Sequence, residues 1–116
     1  PLENEARWRT AAESLLRDGR AELVALSLGE RGAMLFSALG AWRADALQVD
    51  VKSTTGAGDS FLAAMVWALN KGMALPEAFR YGVAAGSAAL LHAGTTLCRA
   101  DDVAQLVHRV QVHVLA

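Results

Sequence analysis

Residues 53–59 have the sequence STTGAGD, and residues 61–66 continue as the apolar run FLAAMV. Two glycines around an alanine allow a tight turn with exposed backbone amides, and the apolar run predicts a buried helix that begins at this turn. The unpaired amides and the positive end of the helix dipole then converge on one place. The stretch therefore predicts a site for a phosphate or for a transferring phosphoryl group.

Asp59 lies at the edge of this turn, where a carboxylate beside a bound phosphate is electrostatically unfavourable unless it has a task. Accepting the proton of an attacking hydroxyl is the natural candidate. The predicted catalytic residues are therefore Asp59, which also contacts the acceptor substrate, and the backbone of Gly56, Ala57 and Gly58. From the motif alone an alternative stays open, in which Thr55 or Asp59 only caps the helix and the glycines only make a turn.

The segments before the turn predict one helix followed by extended structure. Residues 4–17 carry apolar residues at a helical period, which predicts an amphipathic helix. Residues 23–28 form a short apolar run, which is typical of a central strand covered on both faces. Residues 33–36 and 40–44 predict a hairpin at the sheet edge, and residues 47–51 predict a weaker strand or an extended connection.

Three helices are predicted after the turn, over residues 58–71, from residue 76 to about 93, and from residue 101 or 102 to about 112. Their inward residues are expected to be Phe61, Leu62, Met65, Val66 and Leu69 in the first, and Val103, Leu106, Val107 and Val110 in the third. Strand, edge hairpin, phosphate turn and three helices describe an α/β unit. In such units ligands collect at the C-terminal ends of the strands.

Composition limits the class of function. The chain has 116 residues and a formal net charge of −1, so it is one domain at most and has no positive field for nucleic acid or an anionic membrane. Residues 81–98 contain no charged side chain, but their glycines and polar residues favour a helix buried in a soluble core over a membrane span. The single cysteine, Cys98, cannot form an internal disulfide, which makes a cytoplasmic location the default.

Three further segments give the turn a context, namely SLGERGA at 27–33, GVAAGSAA at 82–89 and GTTLC at 94–98. From Glu22 onward, this order resembles the C-terminal part of the PfkB (ribokinase-like) family of carbohydrate kinases, most closely the branch of 6-phosphofructokinase isozyme 2. Members of this family are longer. The resemblance implies that residues 1–116 are the C-terminal, nucleotide-binding portion of a three-layer α/β/α kinase, without the N-terminal sugar-binding and lid part.

The resemblance also implies a reaction and its ligands. ATP, with Mg²⁺ on its phosphates, would phosphorylate a sugar phosphate, best matched by conversion of fructose 6-phosphate to fructose 1,6-bisphosphate. Many members carry Asp beside a monovalent-cation site where this chain has Ser53, so potassium activation cannot be assumed. The nucleotide-binding residues carried over are Ser27, Gly29 and Gly32 on the first turn, and Ala85, Ser87 and His92 on the adenine side.

Other interpretations stay open beside this one. The enzyme could be a 1-phosphofructokinase or a tagatose-6-phosphate kinase, because the resemblance implies that the residues that select the sugar precede Pro1. Alternatively, the chain alone is a non-catalytic α/β module that binds nucleotide or forms a homo-oligomer through a bare sheet edge. The small residues Gly82, Gly86 and Ala89 fit close helix packing as well as an adenine-side wall. The charged residues Glu30, Arg31 and Arg43 are expected to be surface charges.

Overall fold

The computed structural model describes residues 2–54, 56–92 and 98–115. Its regular elements are α1 (Leu2–Arg17), β1 (Leu23–Ser27), β2 (Ala33–Ser37), β3 (Gly40–Ala44), α2 (Ala57–Asn70), α3 (Leu75–Ala89), α4 (Ala100–Leu106) and β4 (Val112–Leu115). Short 3-10 helices cover Gly29–Arg31 and Val107–Arg109. Four helices pack around one sheet of four strands in the described part of the chain, so the prediction of an α/β protein is confirmed at the level of fold class.

The four strands form one antiparallel sheet in the order β1-β2-β3-β4. The predicted β2–β3 hairpin is present, but it lies inside the described sheet because β4 pairs with β3, so its placement at an edge was wrong. The expectation of a central β1 is also wrong for the described strands. This strand lies at the edge opposite β4, and its residues Ala25 and Ser27 are exposed.

Helices cover both faces of the sheet. Strand β2 therefore contributes alternate side chains to two separate cores. Met34 and Phe36 pack with Ala12 of α1 on one face. Leu35 lies in the larger core on the other face, with residues of α2, α3 and α4. Since successive side chains of a strand point to opposite faces, a strand buried on both faces reads as a continuous apolar run.

Helix α2 packs mainly against α3. Its buried apolar side chains are Phe61, Met65 and Ala68, whereas Leu62 is 63% exposed and Val66 50% exposed. The expectation that Leu62 and Val66 point inward was therefore wrong. The helix is apolar on all sides, and in such a helix the period of the sequence does not identify the packed face.

The third predicted helix is shorter than expected. Helix α4 ends at Leu106, a 3-10 turn follows, and Val112 belongs to β4 rather than to a helix end. Helix α3 ends at Ala89, and residues 90–92 form a turn and a bend, so the expectation that this helix continues to about residue 93 was wrong. Of the helices in the described part of the chain, none combines the length and the apolar content that crossing a bilayer requires.

Candidate active site

Helix α2 begins at the glycine turn, and its first amides have no partner within the helix. Gly56 takes the left-handed conformation (φ 86°, ψ −2°) and is the residue that caps the helix. The first helical hydrogen bond runs from the Ser60 N–H to the Gly56 carbonyl oxygen at 2.9 Å. The amides of Ala57, Gly58 and Asp59 therefore have no partner within the helix. Gly58 and Asp59 are exposed. Any capping by Thr55 lies outside the described residues.

A cavity of about 760 Å³ lies beside this helix end. Its walls come from the turn after β1, the segment between β3 and α2, the start of α2 and the end of α3. A volume in this range suits a ligand of nucleotide size. The predicted site residues that line the cavity are Ser27, Gly29, Gly32, Ala57 and Ser87.

The turn between β1 and β2 is shaped by its two glycines. Gly29 (φ 61°) and Gly32 (φ 94°) both have positive φ, which disfavours other residues. The Leu28 N–H donates to the Gly32 carbonyl oxygen at 2.7 Å and closes the turn. A Cβ on Gly32 would overlap the Ala44 carbonyl oxygen and lie 2.9 Å from the Ala46 nitrogen. Only glycine therefore allows this turn to lie so close to the end of β3.

Five predicted site residues do not line the cavity. Gly56, Gly58 and Asp59 flank Ala57, which does line it. Ala85 is fully buried within α3. The half-buried His92 pairs with a residue of α4, its Nε2 lying 2.8 Å from Asp102 Oδ2.

The small-residue face of α3 serves helix packing. A Cβ on Gly82 would lie 2.7 Å from Met65 Cγ and 3.3 Å from the Phe61 carbonyl oxygen. Gly86 also faces α2, with the Ala57 carbonyl oxygen 3.4 Å from where a Cβ would be, and it lines the cavity as well. Of the two interpretations of this face, close helix packing applies to both glycines, whereas a place in the cavity wall applies only to Gly86.

Backbone hydrogen bonds hold the segments around the cavity together. The N–H groups of Lys52 and Ser53 donate to the Leu90 carbonyl oxygen at 2.7 and 3.3 Å, which ties the approach to the glycine turn to the end of α3. The Cys98 N–H donates to the buried Ser60 Oγ at 3.1 Å. The Lys52 side chain is exposed, and its Nζ lies 3.2 Å from Asp50 Oδ2.

Any positive electrostatic potential of the cavity comes from main-chain groups and not from the described side chains. Among the lining residues of the described part, Glu30 carries the only charged side chain. Attraction of a phosphate would therefore come from the amides and dipole of α2 rather than from a basic side chain. No group of three or more His, Cys, Asp or Glu in the described residues is arranged to hold a metal ion.

Three charged residues form a cluster that the sequence did not reveal. Glu5 Oε1 accepts a hydrogen bond from Arg31 Nη2 at 2.9 Å and lies 3.1 Å from Arg43 Nη2. Arg43 Nη2 also donates to the Arg31 carbonyl oxygen at 3.0 Å. Arg31 and Arg43, which were expected to be surface charges, have side chains that are 35% and 23% exposed and share this carboxylate. The partners are 26 and 12 residues apart, so no local pattern signals them.

Comparison with known proteins identifies the family. The family model described as pfkB family carbohydrate kinase matches residues 1–102. The chain belongs to the pfkB family of carbohydrate kinases. Among curated members of the pfkB family, it is 40% identical over 102 residues to the ATP-dependent 6-phosphofructokinase isozyme 2 of Mycobacterium tuberculosis, covering 88% of this chain and 30% of that one. It is 34% identical over 101 residues to the 1-phosphofructokinase of Borreliella burgdorferi, covering 86% and 32%.

Solved structures of the pfkB family agree with the fold. The chain superposes on phosphofructokinase-2 from Escherichia coli in complex with potassium with a TM-score of 0.83 and 40% identity, covering 87% of this chain and 33% of that one. Superposition on the same enzyme in complex with substrates and products gives a TM-score of 0.82 at 40% identity, and it covers 87% of this chain and 33% of that one. Superposition on its tetrameric inhibited form gives a TM-score of 0.78 at 38% identity, and it covers 87% of this chain and 32% of that one. The chain thus spans about a third of the length of the relatives that it matches.

Proposed function

We propose that this chain is the C-terminal, nucleotide-binding portion of a longer ATP-dependent sugar-phosphate kinase with the three-layer α/β/α fold of the ribokinase-like enzymes. Its reaction would transfer the terminal phosphoryl group of ATP to fructose 6-phosphate and yield fructose 1,6-bisphosphate. One observation carries the proposal: the first amides of α2, which have no partner within the helix, adjoin a cavity of nucleotide size. Membership of the family and 40% identity to a 6-phosphofructokinase isozyme 2 support the choice of reaction.

In the proposed mechanism, the carboxylate of Asp59 accepts the proton of the attacking sugar hydroxyl. The hydroxyl oxygen then bonds to the terminal phosphorus, the bond to the β-phosphate oxygen breaks, and ADP leaves with that electron pair. The amides of the 56–59 turn donate hydrogen bonds to the negative charge on the transferring group. Asp59 lies in the first turn of α2, where its side chain is exposed, which leaves it accessible to an acceptor.

The cavity suits the rest of the nucleotide. Ser27, Gly29 and Gly32 would border it from one wall, and Ser87 from the opposite helix. The fully buried Ala85 would act only through packing, and His92, paired with Asp102, would support the end of α3. Mg²⁺ would enter with ATP as part of the substrate and supply charge neutralisation on its phosphates.

Potassium and self-association are further parts of the proposal. The Escherichia coli phosphofructokinase-2 has been solved with potassium and in a tetrameric form. Ser53 stands where many members carry an acidic residue, so we expect a smaller response to potassium than an acidic residue would give. For the 116-residue chain by itself, the edge strand β1 offers a surface for a homo-oligomer. A cytoplasmic location stays a prediction.

The test is a coupled assay of ADP formation on the complete gene product with fructose 6-phosphate, fructose 1-phosphate and tagatose 6-phosphate. We expect the highest kcat/KM with fructose 6-phosphate. A preference for either other sugar phosphate would change the substrate while leaving the kinase assignment, and the 34% identity to a 1-phosphofructokinase makes fructose 1-phosphate the second candidate. No turnover of any of the three would contradict the sugar-phosphate kinase proposal.

A further inference from the structure

The cluster of Glu5, Arg31 and Arg43 adjoins the turn that lines the cavity, and the proposed chemistry does not use it. Glu5 Oε1 is shared by both arginines, at 2.9 Å from Arg31 Nη2 and 3.1 Å from Arg43 Nη2. The Glu5 side chain is only 12% exposed. Charge-assisted hydrogen bonds that are shielded from water hold their geometry better than exposed ion pairs do.

Arg43 connects this cluster to the main chain of the turn. Its Nη2 donates to the Arg31 carbonyl oxygen at 3.0 Å. Arg31 ends the 3-10 helix whose first two residues, Gly29 and Glu30, line the cavity, and Gly32 after it lines the cavity too. Any displacement of the Arg31 carbonyl group therefore moves the cavity wall.

Helix α1 holds the cluster from the other side. The Arg31 guanidinium carbon lies 5.7 Å from the ring centroid of Trp8, one helical turn after Glu5. Arg43 Nη1 is buried, and no residue in the described part of the chain accepts a hydrogen bond from it. The carboxylate of Glu5 is therefore the charge that compensates Arg43. Without it, two guanidinium groups would face each other beside the turn.

We infer that Glu5 and Arg43 are positioning residues for the nucleotide. They hold the turn of residues 28–32 in the conformation that lines the cavity, and so set the affinity for ATP without touching the reacting atoms. The inference rests on the proposed function, because ATP is taken as the ligand of this turn. It gives a functional consequence to α1, although no described residue of that helix lines the cavity.

The test compares two substitutions on one helix in the complete gene product. Glu5→Gln removes the shared carboxylate, whereas Glu13→Gln, the matched control, removes an exposed pair with Arg9. We expect Glu5→Gln to raise KM for ATP about three- to tenfold, with kcat and KM for the sugar phosphate within about twofold of the unchanged protein. The control should leave all three constants unchanged. Hydrogen exchange without nucleotide should become faster in residues 28–32 only in Glu5→Gln.

Each outcome decides between the claims. If Glu5→Gln leaves KM for ATP and the exchange of the turn unchanged, the inference is wrong and the proposed function stands. If the unchanged protein binds no ATP, the proposed function is wrong and the inference falls with it. Should Glu5→Gln fail to fold, Arg43→Met decides, because methionine has no donor to replace Arg43 Nη2, which contacts both the Glu5 carboxylate and the Arg31 carbonyl oxygen. Its KM for ATP must then rise with kcat preserved, or the inference is overturned.

Discussion

At the scale of single residues, Asp59 is the group on which the proposed chemistry depends. We expect Asp59→Asn in the complete gene product to lower kcat about 10²- to 10⁴-fold, because the amide cannot accept the hydroxyl proton. KM for ATP should change little, since Asp59 is not among the residues that line the cavity. Steady-state kinetics with both substrates varied would measure this separation.

Asp101→Asn is the matched control for that change. Asp101 is also an exposed aspartate in the first turn of a helix, so it loses the same interaction with a helix dipole. It should keep normal turnover. If Asp59→Asn also kept near-normal turnover, the assignment of Asp59 as the base would be wrong.

Gly32 permits a second prediction at this scale, on stability. We expect Gly32→Ala to lower the free energy of unfolding by about 3 kcal/mol or more, because the new Cβ overlaps the Ala44 carbonyl oxygen and φ is +94°. Gly19→Ala should cost only about 1 kcal/mol, since φ is +71° but no atom lies within 4 Å. Urea unfolding of both variants would measure the difference. Equal losses would mean that the turn can move away from β3.

The glycine turn and the family resemblance named ten site residues, and five of them lie around the same cavity. Ser27, Gly29, Gly32, Ala57 and Ser87 share one cavity because glycine-dependent turns and helix starts are encoded by a few adjacent residues. In contrast, a residue on a helix is placed by its packing partners. The side chain at position 85 is buried and the one at 92 reaches α4, and neither outcome is written in the local sequence.

At the scale of elements, the contact between α2 and α3 makes opposite predictions for two glycines of α3. Gly82→Ala should destabilise the protein by about 1 kcal/mol, because overpacking against Met65 Cγ at 2.7 Å outweighs the gain in helix propensity. Gly86→Ala should stabilise it by up to about 1 kcal/mol, since its nearest atom, the Ala57 carbonyl oxygen, is at 3.4 Å. Thermal unfolding would show whether each variant is less or more stable than the unchanged protein. An increase in stability for both variants would mean that α2 can shift to accommodate the new methyl group without a loss of stability.

The same scale shows why some elements were predictable. The β2–β3 hairpin was found because two short apolar runs flank a turn, which is a local signal. Strand β4 was missed because the preceding helix was extended to residue 112, although residues 110–115, VQVHVL, alternate apolar and polar residues as a strand does. The packed face of α2 was assigned wrongly for two residues, since a helix that is apolar all round does not reveal which side α3 covers.

At the scale of the whole molecule, long-range contacts determine what sequence patterns leave open. Helix α1 was predicted as an amphipathic helix, yet its link to the cavity depends on Glu5 meeting side chains 26 and 38 residues further along the chain. Such pairs form only after the sheet has brought β2 and β3 beneath α1. The class of fold could therefore be predicted, whereas the order of the strands and the cluster could not.

The division of labour within the proposed kinase gives the last prediction. The chain forms a cavity of nucleotide size by itself, whereas it spans about a third of its relatives' length. We expect the isolated 116-residue chain to bind ATP at least about tenfold more weakly than the complete gene product and to form no ADP with fructose 6-phosphate. Weaker binding follows because an incomplete site leaves its turns less constrained, and turnover fails because the acceptor sugar is not held.

Calorimetry with ATP would measure the binding, and the coupled assay would measure the turnover. Sugar-dependent ADP formation by the isolated chain at a rate near that of the complete product would show that the acceptor site also lies within these residues.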